Sequence, residues 1–221
     1  MKLFVPSWQV PGTWLDNLEA LDGEAWIEGI ELLFFSWDDE ARRLFEAEAE
    51  RIAAFRKRFA FSLHLPDPLP RDAVDLVAAT TGLVERYVFH PVPTAQAMEP
   101  LFAIAGHDRF SLEYTACDHF EASLSLFPGI SICADTGRLL RNGANPEAWI
   151  AERVGSIREL HLHGARVSAK ENRDHLPLAG DEVWLKPTLN LIRDLDCIVN
   201  LETFSLEATK ASRDALKRWA P

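Results

Sequence analysis

The chain has 221 residues, 48% hydrophobic and 26% charged, with a formal net charge of -11. This is a globular composition with enough apolar surface for one sizeable core, and its acidity opposes binding to DNA or any other polyanion. Three cysteines (Cys117, Cys133, Cys197) without a C-x-x-C pair argue against a disulfide framework or a thiolate zinc knuckle, the opening MKLFVPSWQVPG lacks a signal-peptide core, and no run approaches the roughly 18 apolar residues of a membrane span. A cytoplasmic protein is expected.

Short apolar runs alternate with amphipathic segments about eight times, the rhythm of a parallel sheet covered by helices. Lys2 to Val5 is a first strand and Trp14 to Leu21 a brief helix. Gly29 to Phe35 (GIELLFF) reads as a strand buried on both faces. A long helix opened by Asp38 and Asp39 runs to about Arg58, with Leu44, Ala47, Ile52 and Phe55 on its apolar side. The third strand is Phe59 to Leu65, followed by a helix from Arg71 to Gly82. The fourth is Arg86 to His90, followed by a helix from about Pro93 to Gly106.

Strand five is Phe110 to Thr115, with a helix from Asp118 to Leu126, and strand six is Ile130 to Ala134. Asn145 caps a helix whose first position is Pro146. The seventh strand opens at Ile157, ends at histidines and hands over to a charged loop. Val183 to Leu195 is expected to be mostly helical despite Pro187, Cys197 to Phe204 is strand eight, and Ser205 to Trp219 is the last helix. Eight strand-then-helix units point to a closed (β/α)8 TIM barrel more than to an open doubly wound sheet. A barrel typically has roughly 250 residues, with a floor near 200, so this one must have short loops. No linker or low-complexity tract interrupts 1–221, which is expected to be one domain.

Ionisable residues recur at the carboxyl ends of these strands. His64 ends strand three and His90 strand four, Glu113 lies late in strand five, Asp135 follows strand six, His161 ends strand seven and Glu202 lies late in strand eight. Barrel closure places such ends around one mouth. Three imidazoles and three carboxylates are a ligand set suited to Zn first, and to Mn or Fe. Without cations the carboxylates would repel one another; a divalent ion turns that repulsion into coordination. Glu113, on the strand between those of His90 and Asp135, is the best placed bridge between two ions.

A single strand-end histidine is more often a hydrogen-bonded surface residue than a ligand; the weight rests on six at one edge. Glu31 either reaches the mouth or is a buried carboxylate paired with an arginine. His163 is a ligand, a proton shuttle or a hydrogen-bonding support for His161. His107 and His119 read as solvated, Cys133 and Cys197 as core packing, and Cys117 lacks a helper that would make it a nucleophile. Arg138, Arg141, Arg166, Lys170 and Arg173 follow strands six and seven. They are either a phosphate grip or neutralisers of nearby acids. Trp8 and Trp37 either stack on a flat ligand or cover the core.

The motifs LHLP (His64), FHP (His90), LEYTA (Glu113), CADTG (Asp135), ELHLHG (His161), DHLPLAG (His175) and NLETF (Glu202) stand in an order that resembles the AP endonuclease family 2, or xylose-isomerase-like, TIM barrels over nearly the whole chain. The resemblance implies that His64, His90, Glu113, Asp135, His161 and Glu202 bind the two metals of the phosphodiesterase branch. A third metal site of that branch uses a histidine three residues after the aspartate; this chain has Arg138 there, and Asp174 adjoins His175 where the branch spaces them apart. The opening PSWQVPGTWLDNLEAL, with GIELLFFSWDDE and FAFSLHLPDPL, more loosely resembles the cobamide-remodelling phosphodiesterases.

The first expectation is therefore a metal-dependent hydrolase of a small, anionic phosphodiester, with Glu113, Arg138, His163, Arg166 and His175 as catalytic candidates. The alternative is a sugar or hydroxy-acid isomerase or epimerase, in which Glu113 and Glu202 act as acid and base across one ion. A third reading is a non-catalytic binding protein on the same barrel.

Overall fold

The computed structural model describes residues 1–218, and the predicted end of the last helix at Trp219 lies outside them. Eight parallel strands close into a TIM barrel: β1 (Lys2–Pro6), β2 (Gly29–Leu33), β3 (Ala60–His64), β4 (Arg86–Phe89), β5 (Phe110–Glu113), β6 (Ser131–Asp135), β7 (Ile157–His161) and β10 (Ile198–Asn200), with β10 returning to pair with β1. The remaining two strands, β8 (Gly164–Val167) and β9 (Asn172–Leu176), form an antiparallel hairpin. Sequence patterning predicts a charged loop there. The hairpin escapes it because its outer half, including Arg166, Val167 and Arg173, is exposed on both faces and carries no alternating apolar signal.

Helices α1 (Trp14–Leu21), α2 (Asp39–Ala54), α3 (Ala73–Thr80), α4 (Glu99–Ala105), α5 (Cys117–Leu126), α6 (Thr136–Arg141), α7 (Pro146–Arg153), α8 (Leu185–Ile192) and α9 (Leu206–Lys217) cover the sheet. Caps set several starts. Thr13 and Asp16 form a capping box on α1, Asp38 accepts from the N–H groups of Glu40 and Ala41, and Asn145 accepts from Ala148 N–H with Pro146 in the first turn of α7. The helix expected from Pro93 is shorter: a 3-10 turn at Ala95–Ala97 precedes α4. The apolar face of α2 is also displaced from expectation. Phe45 and Ile52 are buried, whereas Leu44 is 37% exposed and Ala47 lies in solvent. The stripe follows Phe45, Ala49 and Ile52, and Leu44 lies about 100° away from it around the helix.

Most of the apolar core lies between the strands and the helix ring. One part is an aromatic cluster of Trp14, Phe34, Trp37 and Phe45, in which Trp14 stacks on Phe34 at 4.5 Å. Trp37 is therefore core, whereas Trp8 is 44% exposed and meets the 64% exposed Phe35 edge to face. At the lower end Phe4 fills the barrel, and a Cβ at Gly29 would lie 2.2 Å from its ring. Above it the interior turns polar: Glu31, Ser62, Ser111, Glu159, His161 and Asn200 are all fully buried. Register aligns these layers, pairing Glu31 with Ser62, Leu33 with His64, Asp135 with His161 and His161 with Asn200.

Candidate metal centre at the barrel mouth

The strand ends converge on Glu113. Its Oε2 lies 2.7 Å from His64 Nε2 and 3.2 Å from His90 Nε2, and its Oε1 lies 3.3 Å from Arg138 Nε and 3.9 Å from His161 Nδ1. Burial alone would raise this carboxyl; His90, His64 and His161 outweigh it and hold it well below the ordinary carboxylate range. The histidines respond in the opposite sense. Burial works against the His90 charge, but Glu113 and Asp67, whose Oδ2 stands 2.7 Å from His90 Nδ1, push its pKa up to about 9. His64 is likewise raised by Glu113 against burial, and its Nδ1 lies 2.8 Å from Leu65 O.

Asp135 occupies the junction of β6 and α6. As the cap of α6 its Oδ1 accepts the Arg138 N–H at 2.8 Å, while its Oδ2 lies 3.0 Å from Arg138 Nε. The capping role explains the helix that begins directly at Thr136, where composition gives no helical run. Arg138 is thus pinned between Asp135 and Glu113, which raise its already high pKa against burial.

His161 Nδ1 lies 3.3 Å from Glu202 Oε2, and its Nε2 points down the barrel to Glu31 Oε1 at 3.2 Å. Burial opposes charge on His161; Cys133, Glu31 and Glu202 outweigh it and raise its pKa well above the ordinary value. Glu202 in turn is held well below the carboxylate range by His161, His163 and His175 in spite of burial. His163 Nε2 stands 3.0 Å from Asp135 Oδ1 and 3.3 Å from Glu202 Oε2, and its Nδ1 accepts the backbone N–H of His175 at 2.9 Å. That approach outweighs Gly164 O at 3.3 Å from the same nitrogen, so the ring carries its proton on Nε2. Burial works against a second proton; Asp135 and Glu202 push the pKa up to about 10, but a proton on Nδ1 would meet the His175 N–H head-on. The protonated Nε2 therefore faces the Asp135 and Glu202 carboxylates at ion-pair distance, without an aligned hydrogen bond to either.

His175 lies at the inner end of the hairpin with a left-handed backbone (φ 53°); its ring stacks on His163 at 4.3 Å, and its Nδ1 is 3.4 Å from Glu202 Oε2. Arg141 ties the hairpin down through Asp174 at 2.6 Å. Arg166 is not brought to the mouth. Its side chain is 66% exposed and pairs with Glu171 across the hairpin, and Lys170 and Arg173 are exposed as well. Of the five basic residues after strands six and seven, Arg138 alone contacts the ring, and as a partner of its acids.

Glu159, Asn200 and Asp67 escaped sequence reasoning, and Glu31, expected at the mouth or paired with an arginine, is instead buried against His161 and Asn200. Glu31, Glu159 and Asn200 form the floor: Asn200 Nδ2 donates to Glu31 Oε2 at 2.5 Å, and Ser62 Oγ donates to Glu159 Oε1 at 3.3 Å. Glu159 is the unusual member, since burial and the nearby Glu31 push its carboxyl up to about 8. Asp67 stands apart from the floor, beside His90. A usable signal existed for Glu31, Glu159 and Asn200, each two residues before a mouth residue on the same strand face.

The donors fit a divalent cation. His90 Nε2, His161 Nδ1 and Glu202 Oε2 are shielded from solvent and make no hydrogen bond of acceptable geometry, an unusual density of unsatisfied buried atoms for one site. Four sets, Glu113–Asp135–His161, His64–His90–Glu113, His163–His175–Glu202 and Glu31–His161–Glu202, each bring their ligand atoms within 4.8 Å of one another, and Glu113 belongs to the first two. A cavity of about 270 Å³ opens onto this ring between polar residues, among them His64, His90 and Arg138, and apolar Leu33, Phe35 and Phe204. Its size is at the lower edge of ordinary small-molecule sites. No helix among the described residues is long and apolar enough to cross a membrane.

No protein-family model matches the chain, and no curated protein matches it in sequence. Solved structures do match its fold. A D-tagatose 3-epimerase-like protein superposes with a TM-score of 0.65 at 15% identity, covering 99% of this chain and 97% of that one. A probable 3-DHS dehydratase from Bacillus anthracis, involved in petrobactin synthesis, gives 0.67 at 15% identity with 98% of each chain covered. A sugar phosphate isomerase/epimerase from Parabacteroides distasonis ATCC 8503 gives 0.67 at 10% identity, covering 100% of this chain and 94% of that one. At these identities the likeness is one of fold.

Proposed function

We propose that the chain is a divalent-metal-dependent isomerase or epimerase of a small polyhydroxylated substrate. The observation that carries this reading is the placement of Glu113 and Glu202, which approach the same nitrogen, His161 Nδ1, at 3.9 and 3.3 Å with both carboxyls held ionised. Two ionised carboxylates facing one position are suited to removing a proton from a substrate carbon and returning it. Glu113, Asp135, His161 and Glu202 would hold the ion, with Zn, Mn or Fe each compatible with the donors. Bound there, it would neutralise charge developing on the substrate oxygens.

The chain's own groups supply the rest. Arg138, fixed through Nε, lines the cavity and is positioned to meet an anionic oxygen of the substrate. His64 and His90 share Glu113 Oε2 and hold that carboxylate in orientation. His175, 3.4 Å from Glu202 Oε2 and on the cavity wall, can exchange a proton with Glu202. The epimerase and isomerase named among the fold neighbours support this reading over the hydrolase expected from the strand-end motifs.

Phosphodiester hydrolysis stands as the second reading, favoured by the membership of Glu113 in two of the four ligand sets, as a carboxylate bridging two ions requires. The test is to incubate metal-loaded protein in deuterium oxide with a panel of ketoses, aldoses and their phosphates, alongside a chromogenic phosphodiester. Deuterium at a substrate carbon is the expected result. Phosphodiester cleavage without carbon exchange would reverse the order of the two readings.

A further inference from the structure

We infer that Glu31 is a positioning residue that decides which nitrogen of His161 faces the barrel mouth. The inference rests on the reading that a divalent ion occupies the ring. Glu31 lies in the middle of β2 and is fully buried, one layer below the mouth. Both of its oxygens are engaged: Oε2 accepts from Asn200 Nδ2 at 2.5 Å, and Oε1 lies 3.2 Å from His161 Nε2. Held at both ends, the carboxylate cannot swing toward the mouth without breaking a buried hydrogen bond.

The consequence falls on His161. With an ion bound, the imidazole is neutral and has one protonated nitrogen and one lone pair, and the acceptor beside it selects which is which. Glu31 holds the proton on Nε2, so the lone pair is on Nδ1. That atom is shielded and without a hydrogen bond, and it faces Glu202 and Glu113. The alternative acceptor, Glu159, is farther away at 4.0 Å from Nε2. Carboxylate, histidine and ion then form a relay rising from the barrel floor, an arrangement that fixes ring orientation and raises ligand basicity.

A direct-ligand role for Glu31 is the competing assignment, because Glu31, His161 and Glu202 also bring ligand atoms within 4.8 Å of one another. Glu31→Gln separates the two. Glutamine offers one acceptor oxygen where Asn200 and His161 present two donors, so one of them loses its partner while shape is kept. Zn²⁺ affinity, measured by competition with a chromophoric chelator, should fall 10- to 100-fold with the number of bound ions unchanged. Loss of an ion from the stoichiometry, or unaltered affinity, overturns the inference.

Nitrogen-15 spectra of the wild-type imidazoles in Zn²⁺-loaded protein supply a readout independent of any variant's folding. A protonated His161 Nε2 with a metal-shifted Nδ1 is expected; the reverse assignment overturns the proposal. In Glu31→Gln the Nε2 proton should exchange faster while the His64 and His90 signals stay in place, a pattern that general loosening would not give. Wild-type protein that binds neither Zn²⁺ nor Mn²⁺ overturns the metal reading and this inference with it, whereas binding with the reversed nitrogen assignment overturns the inference alone.

Discussion

The backbone N–H of His175 donates to His163 Nδ1 at 2.9 Å, and the two rings stack 4.3 Å apart. Through that bond the β8–β9 hairpin, an insertion beyond the eight-strand plan, becomes continuous with the carboxylates of the ring. His163 passes the contact on through Nε2 to Asp135 and Glu202, and the left-handed backbone of His175 directs its N–H inward. Displacing either ring should therefore disturb ligands from three separate strands.

Gly137 tests this coupling. A Cβ there would lie 2.1 Å from His163 Cε1, so Gly137→Ala must move the imidazole or the start of α6. Overpacking of this kind costs about 1–3 kcal/mol. The expected outcome is a lower melting temperature together with at least tenfold weaker metal binding. Gly155→Ala, where a Cβ meets nothing within 4 Å, is the control and should change neither. Calorimetric melts and metal titrations of the two variants measure the contrast.

Arg138→Ala removes a half-buried cation from between the buried Glu113 and Asp135. The freed oxygens, Glu113 Oε1 and Asp135 Oδ2, should then bind divalent ions more tightly, by about tenfold or more if the site is as poorly screened as its burial implies. Turnover should move the other way, falling roughly 100-fold with the loss of a group meeting charge on the substrate. Metal titration and steady-state kinetics on the same preparation would reveal the opposed effects; a parallel loss of both would show that Arg138 serves only to hold the ring together.

Glu159 predicts the pH dependence of the metal-free protein. Its folded pKa of about 8 lies above the ordinary 4.5, so between those values the folded chain holds a proton that the unfolded chain has released. Its contribution to stability is thus complete below pH 4.5 and is lost as pH rises through 8, at up to about 1.4 kcal/mol per pH unit. His90 acts in the same direction, but only from 6.5 to about 9. Glu159→Gln mimics the neutral acid. It should flatten the decline between pH 4.5 and 6.5, where His90 contributes little, as chemical denaturation at several pH values would show.

The eight barrel strands and two helix starts were legible because they depend on local chemistry: Asn145 before Pro146, Asp38 before α2, apolar runs ended by histidines. The convergence of His64, Glu113, Asp135 and His161 also followed, since barrel closure brings strand ends together whatever the loops do. Depth within the barrel did not. Whether Glu31 faces the mouth or the floor is set by the stagger between strands, which pairs Glu31 with Ser62 and not with His64. Arg166 was misplaced for a related reason. Its charge and its distance along the chain from His161 suited a phosphate grip, but pairing in the hairpin places it across from Arg173 and beside Glu171.

His90→Ala distinguishes one ion from two. If the ion lies among Glu113, Asp135, His161 and Glu202, His90 is a partner of Glu113 and not a required ligand, and His64 and Arg138 still satisfy that carboxylate after the substitution. The variant should keep one ion per chain and lose about tenfold in kcat as Glu113 becomes less well oriented. A two-ion hydrolase would instead have an ion among His64, His90 and Glu113, and the metal content of the variant would drop from two to one. Elemental analysis of wild type and variant after identical loading decides between these, and the expected count is one ion in both.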